Sequence, residues 1–173
     1  MDEVFIKKVT IGDVEALQSI STQTFRETFQ EVNTEEDMQI YLDGAFNYDK
    51  LKEEINNAHS AFYFATDTMN VLGYLKINLD QAQTEKKGNN AVEIERIYVL
   101  KTYQGKQVGQ LLFKQALQLA RERNADYLWL GVWEENTKAI NFYKKNGLVP
   151  FDKHIFRLGN DEQTDIMMKL VLH

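Results

Sequence analysis

Glu93-Ile94-Glu95-Arg96-Ile97-Tyr98-Val99, then Leu100 to Tyr103, then Gln104-Gly105-Lys106-Gln107-Val108-Gly109-Gln110-Leu111-Leu112 is the stretch on which the fold turns. A strand-like run ends, a short loop carries two glycines, and apolar residues then recur at Val108, Leu111, Leu112, Ala116, Leu119 and Ala120, the stripe of an amphipathic helix. The pattern predicts a strand over 92–100 and a helix over 107–123. The apolar run Tyr127 to Trp133 reads as the next strand. Strand, helix and strand make a βαβ unit, whose strands should be parallel and joined by a right-handed crossover. The first N–H groups of such a helix lack backbone partners and sit at the positive end of its dipole, which makes an anion site. Gly105 and Gly109 let a pyrophosphate approach the backbone, and Lys106 adds charge. The loop has neither the Gly-Lys-Ser/Thr of a Walker loop nor Gly-x-Gly-x-x-Gly. Taken alone, it reads equally as a tight turn whose glycines serve only the backbone.

Working outward, Phe5 to Val9 alternates weakly, as an edge strand does. Val14, Leu17, Ile20, Phe25 and Phe29 mark a helix over 13–29. Thr34-Glu35-Glu36-Asp37 supplies an N-cap and first-turn acids for a second helix ending near Gly44. A third, short helix is expected over 48–56. Ala61 to Thr66 and Val71 to Leu79 flank a turn at Met69-Asn70 and read as a hairpin; the polar run 81–90 reads as a loop. After Trp133 come a helix over 136–145, a strand over 147–156 and a final strand over 165–172. The order implies an α/β (α+β) domain with a mixed sheet. There is no repeat, low-complexity tract or Gly/Ser linker, and Pro150 is the only proline, so residues 1–173 are expected to form a single domain.

Composition narrows the function classes. The 173 residues are 43% hydrophobic and 27% charged, ordinary for a globular protein. No apolar run nears the roughly 18 residues of a membrane helix. The start, Met1-Asp2-Glu3-Val4, lacks the basic entry of a secretory signal. There is no cysteine, which excludes disulfides, thiolate zinc sites and cysteine nucleophiles; the expected location is cytoplasmic. His59, His154 and His173 show no ligand spacing, so no metal is expected. The formal charge of −6 argues against nucleic acid as partner, and Lys86-Lys87 and Lys144-Lys145 read as solvated pairs. An acidic chain is the better host for a cationic small molecule.

A second block strengthens the loop. In Asn136-Thr137-Lys138-Ala139-Ile140-Asn141-Phe142-Tyr143, the residues Asn136, Ala139, Ile140 and Tyr143 share one helix face. Ala139 allows close approach of a ligand, Asn136 offers a donor and an acceptor, and Tyr143 offers a phenol able to serve a leaving group. The competing structural reading makes Asn136 an N-cap and Tyr143 a core residue.

The loop resembles the pyrophosphate motif of the GNAT superfamily of N-acetyltransferases, Gln/Arg-x-x-Gly-x-Gly/Ala at a helix entry. Gln104 and Gly109 match its ends, while Gln107 stands where the middle glycine would be. If that position is left-handed, Gln costs roughly 1–2 kcal/mol there; if helical, it costs nothing. The second block is similar to the superfamily's Asn-x-x-Ala-x-x-x-Tyr. Phe25-Arg26-Glu27-Thr28-Phe29, Tyr41-Leu42, Ala45-Phe46-Asn47, Gly73 to Asn78, Glu93 to Tyr98, Trp129 to Glu134 and Gly159 to Asp165 further resemble the PaiA-type spermidine/spermine N-acetyltransferases of Gram-positive bacteria. The resemblance implies a mixed, mostly antiparallel sheet of about six or seven strands with helices on both faces and one splayed parallel pair. It implies acetyl-CoA as cosubstrate, held by Ile97, Tyr98, Val99, Gln104, Gly105, Lys106, Gln107, Val108, Gly109, Gln110, Asn136, Lys138, Ala139 and Tyr143. It implies a polyamine such as spermidine or spermine as acceptor, acetylated directly in a ternary complex.

Such an amine arrives protonated, with a pKa of about 10, and must lose a proton before attack. Glu93 and Glu95, spaced by two, should share one side of their strand and either accept that proton or anchor the cation. The bland alternative is a salt bridge with Arg96. Asp80, Glu85, Glu27 and Glu31 are weaker candidates for cation binding. Tyr143 is assigned to the departing thiolate. Rival readings are another amine acceptor (a protein N-terminus, a lysine or an amino-acid derivative) and a CoA-binding regulatory module with weak catalysis. The expected partner is a small-molecule amine, with neither nucleic acid nor membrane involved; a homodimer is an open expectation that no residue argues.

Overall fold

The computed structural model describes residues 2–86, 88 and 90–173. Lys87, of the Lys86-Lys87 pair, and Met1 and Asn89 lie outside the described residues. The chain runs β1 (Phe5–Lys8), α1 (Val14–Phe29), α2 (Glu35–Ala45), α3 (Tyr48–Asn56), β2 (Ser60–Thr66), β3 (Val71–Leu79), β4 (Ala91–Val99), α4 (Val108–Glu122), β5 (Tyr127–Trp133), α5 (Thr137–Lys145), β6 (Val149–Leu158) and β7 (Asp161–Val171). Side-chain caps set three helix starts. Thr34 accepts from the Asp37 N–H, Asn47 from that of Lys50 and Asn136 from that of Ala139.

The strands form one sheet in the order β1-β2-β3-β4-β5-β7-β6. β4 and β5 are parallel, joined through α4 as the βαβ reading requires; every other neighbour is antiparallel. Alternation along β5 decides the layers. Leu128, Leu130 and Val132 face α4 and α5, in a core with Val92, Ile94, Leu112, Phe113 and Ala116. On the opposite face α1, α2 and α3 pack over β2 and β3, with Leu17, Phe25, Phe29, Met38, Leu42 and Leu51 against Phe62, Phe64 and Tyr74. Among the described residues no helix is long and apolar enough to cross a membrane.

Two irregularities open the middle of the sheet. Lys76 is opposite Arg96 but Ile77 is opposite Ile94, so Glu95 is an extra residue, a β-bulge in β4. The β4–β5 pairing also stops there, at Ile94 with Leu130. β4 stays with β3 as far as Val99, and β5 stays with β7 as far as Trp133. The two strands therefore part, leaving the facing backbone edges of 95–99 and 131–133 without the β4–β5 ladder.

The largest departures from the expected boundaries lie in the last two strands. β6 runs to Leu158 and β7 begins at Asp161, earlier than the 165 expected from the sequence. Asp161 to Thr164 carry no apolar alternation, so nothing local marks them as strand. Their ladder comes from β6, from the Leu158–Asp161 pair onward.

Candidate active site

Where β4 and β5 separate, a cavity of about 900 Å³ passes through the sheet plane, within the usual size of small-molecule sites. Its wall on the α4–α5 side contains Val99, Gln104, Gly105, Gln107, Gly109, Gln110, Asn136, Lys138, Ala139 and Tyr143. Its other side contains Glu93, Glu95, Arg96 and an aromatic group from α1, α2, β5 and β6. Ile97 and Tyr98 lie between the two. Of the residues named from sequence, Lys106 and Val108 do not line it. Val108 is a core side chain at 1% exposure, and the Lys106 ammonium lies 5.3 Å from the Tyr103 ring centroid. Lys138 does line this wall, and its Nζ donates to Gln104 Oε1 at 2.9 Å; Lys145 of α5 lines the cavity as well. Gln104 Nε2 in turn donates to the Val99 carbonyl, so one side chain ties strand end, loop and α5 together.

The loop geometry resolves the question raised by Gln107. It has φ 68 and ψ 6, left-handed, as the N-cap of α4, and it makes no side-chain cap. The strain of roughly 1–2 kcal/mol is therefore present. Gly105 is also left-handed, with φ 76, and a Cβ built there would meet nothing within 4 Å. The uncapped first turn of α4 and the open space at Gly105 fit an anionic group close to the backbone. Gln110 Nε2 donates to Asn146 Oδ1 at 2.9 Å and fastens α4 to the end of α5.

The structural reading of the second block holds, and the same residues also border the cavity. Asn136 caps α5 with its oxygen and lines the cavity; Tyr143 belongs to the core at 7% exposure and lines the cavity too. Burial raises the Tyr143 pKa well above the ordinary phenol, so the group stays protonated.

Glu93 and Glu95 both meet β3 residues of one face. Asn78 Nδ2 donates to Glu93 Oε1 at 3.0 Å, and Lys76 pairs with Glu95. Their electrostatics diverge. Burial raises the Glu93 pKa even though the Thr84 N–H, the Thr84 hydroxyl and Asn78 all donate to it. Burial also acts upward on Glu95, but the Arg96 and Lys76 charges outweigh it and leave the pKa lowered. Lys76 and Arg96 further share Glu54 of α3, at 2.9 and 3.3 Å, and Arg96 lies over Phe46. The salt bridge weighed from sequence is thus real for Glu95.

The weaker carboxylates separate. Asp80 lies 3.1 Å from His59 and 3.4 Å from Arg123, away from the cavity. Glu27 accepts the Lys101 N–H, and Glu31 sits on the turn after α1; neither lines the cavity. Glu85 stands 3.0 Å from His154, a residue of the cavity wall. Sequence reasoning missed His154, Asp165 and the aromatic wall of Phe25, Phe29, Tyr41, Phe46, Trp133 and Phe156. Rings in that wall contact one another, Phe29 with Trp133 at 5.3 Å and Tyr41 with Phe156 at 5.7 Å. Trp133 and Asp165 face each other across β5 and β7, and His154 is the β6 partner of Asp165, so one missed row spans three strands.

Comparison with known proteins agrees with this architecture. The acetyltransferase (GNAT) family matches residues 15–148. An uncharacterised N-acetyltransferase of Lactobacillus delbrueckii subsp. lactis is 44% identical over 172 residues, covering 99% of each chain. The spermidine N(1)-acetyltransferase of Thermoplasma acidophilum is 22% identical over 168 residues, 95% of this chain and 94% of that one. The crystal structure of a PaiA N-acetyltransferase from Thermoplasma acidophilum in complex with coenzyme A shares the fold, with a TM-score of 0.81 at 21% identity over 98% of this chain and 99% of that one. With a family match over most of its length and a 44% identical N-acetyltransferase aligned end to end, the chain belongs to the GNAT family of acetyltransferases.

Proposed function

We propose that this acetyltransferase, acting as one domain, moves acetyl from acetyl-CoA directly to a primary amine of a polyamine such as spermidine or spermine. One observation carries the reading: a single cavity joins an uncapped helix N-terminus on one side of the sheet to a carboxylate-bearing, aromatic wall on the other. The first side suits a pyrophosphate and the second an alkylammonium, by charge and by cation–π contact. The spermidine acetyltransferase of Thermoplasma acidophilum supports the choice of amine.

The residues fit the cosubstrate. The α4 N-terminus with Lys138 would receive the phosphates, and Asn136 and Ala139 the pantetheine arm. Bound there, acetyl-CoA supplies the thioester. Among Ile97, Tyr98 and Val99, the backbone N–H groups that alternate onto the edge β5 leaves free are placed to polarise the acetyl oxygen. Tyr143 is held protonated, so it serves as a hydrogen-bond donor to the departing sulfur. Glu93 and Glu95 bring negative charge that draws in the acceptor ammonium.

The test is thiol release from acetyl-CoA in the presence of spermidine, spermine, putrescine, lysine and a peptide with a free N-terminal alanine. Fastest release with spermidine or spermine supports the reading. Preference for the peptide would replace the polyamine by a protein N-terminus. Tight CoA binding with no release on any amine would sink it.

A further inference from the structure

Neither carboxylate assigned from sequence to the acceptor is well placed to take a proton. Glu95 is engaged by Lys76 and Arg96, which lower its pKa, and Glu93 accepts three hydrogen bonds. A different pair stands on the same sheet face. His154 Nε2 lies 3.3 Å from Asp165 Oδ2, and His154 Nδ1 lies 3.0 Å from Glu85 Oε1, a charge contact in which Nδ1 makes no aligned hydrogen bond. The three form a line from the cavity wall to the surface loop, with side chains 15% exposed at Asp165, 27% at His154 and 35% at Glu85.

The local backbone is built around this line. Gly131 is the first β5 residue past the last β4–β5 pair. A Cβ there would come 3.3 Å from His154 Cε1 and 3.4 Å from Asp165 Oδ2. Glycine thus leaves room for the pair at the point where the strands part. The loop before β4 is pinned across the same face by three successive residues. Gln83 accepts from Trp129 on β5, Thr84 donates to Glu93 on β4, and Glu85 meets His154 on β6.

Resting on the acetyl-transfer reading above, we propose that His154 and Asp165 together accept the proton of the acceptor ammonium and that Glu85 passes it to solvent. The balance closes. The ammonium gives one proton to the pair and becomes the attacking amine. A nitrogen–carbon bond forms as the carbon–sulfur bond breaks. The second nitrogen proton compensates the departing thiolate, leaving amide, thiol and the one proton that exits through Glu85. The proton belongs to the pair rather than to either member. Burial raises the Asp165 pKa against the opposing charge of His154, which makes its carboxylate a better proton acceptor than a solvated one. Other titratable groups facing the pair are Tyr41 from α2, Tyr98 from β4 and, further along the face, Glu93 and Glu95.

The test uses the full chain and the amine that the wild type acetylates fastest. His154→Gln and Asp165→Asn are compared with wild type by kcat and KM from pH 6 to about 10, with thermal midpoint and CoA affinity as folding controls. The expected result is a fall in kcat of about 10²-fold near neutral pH. That loss should shrink towards pH 10, where the amine sheds its proton to water. KM for acetyl-CoA should not move. Asp165→Asn keeps the side-chain shape and carries the test if His154→Gln unfolds. A loss of equal size at every pH, a change confined to the KM of the amine, or no loss would overturn the proposal while leaving the polyamine reading intact. No turnover by the wild type with any amine would remove the acetyl-transfer reading, and this proposal with it.

Discussion

Replacing Gln107 by glycine should make the protein more stable. Gln107 is left-handed at φ 68, a conformation that costs a side-chain-bearing residue roughly 1–2 kcal/mol. Glycine is indifferent to that region but gives back about 0.5–1 kcal/mol through its freer unfolded state. The side chain is exposed at the cavity rim, so little packing is lost with it. The net gain is about 0.5–1 kcal/mol, or roughly 1–4 °C in Tm for a chain of this size. Calorimetric melts of Gln107→Gly and Gln107→Ala beside wild type measure it. Alanine keeps the strain, so it should stay within about 0.5 kcal/mol of wild type. CoA affinity in Gln107→Gly should change less than about threefold, because the phosphate-facing groups are backbone N–H. A Gln107→Gly midpoint at or below wild type, or an equal rise in Gln107→Ala, would refute the argument from strain.

Three further outcomes can be measured. Tyr143→Phe should lower kcat by about 10²-fold with little change in CoA affinity, and the wild type should show no loss of rate near pH 10 from Tyr143, since burial holds its pKa above that. Glu95→Gln leaves Lys76 and Arg96 sharing Glu54 alone and should destabilise by about 3 kcal/mol at pH 7 in urea titrations. The Glu95 pKa is lowered on folding, so its contribution is full above the unfolded value near 4.5 and is lost as pH falls through the folded one; the gap between variant and wild type should close on acidification, and a constant gap would count against the ion pairing. Gly131→Ala forces His154 or Asp165 to move by a few tenths of an ångström, so acetylation should slow while CoA affinity holds; unchanged kinetics would mean the pair is not tightly seated.

What was legible in the sequence is what neighbours in sequence decide. The switch from strand to helix around Gln104 to Val108, the caps at Thr34 and Asn136, and the α5 face with Ala139 and Tyr143 all rest on spacings of three or four residues. The seven-stranded sheet with one splayed pair agrees with the resemblance. The conformation of Gln107 was not legible, because the same residue is harmless in a helical turn and strained in a left-handed one. His154 and Asp165 were hidden by register. Pro150 pairs with Met168 and Asp152 with Met167, so Phe151 is an extra residue in β6. Such a bulge interrupts the alternation that a period of two relies on, and His154 reaches Asp165 only because of it. Lys106 misled for a simpler reason. A charge beside a phosphate motif invites a role, yet its four-carbon stem reaches the Tyr103 ring as readily as an anion.

The site follows from a defect in the sheet. A parallel pair carried through to Val99 would satisfy the backbone edges of both strands and leave no cavity. The extra residue at Glu95 twists β4 away just where its pairing with β5 ends. That places Glu95 and Arg96 together opposite Lys76, two charges where regular pleating would give one. The bulge is tenable because those charges find partners across three elements, Lys76 on β3, Glu54 on α3 and the Phe46 ring after α2. The ion network under the acceptor side and the open backbone edge thus have one origin. Regularising β4 by deleting Glu95 should therefore cost both at once, the network through a missing anion and the site through a closing gap.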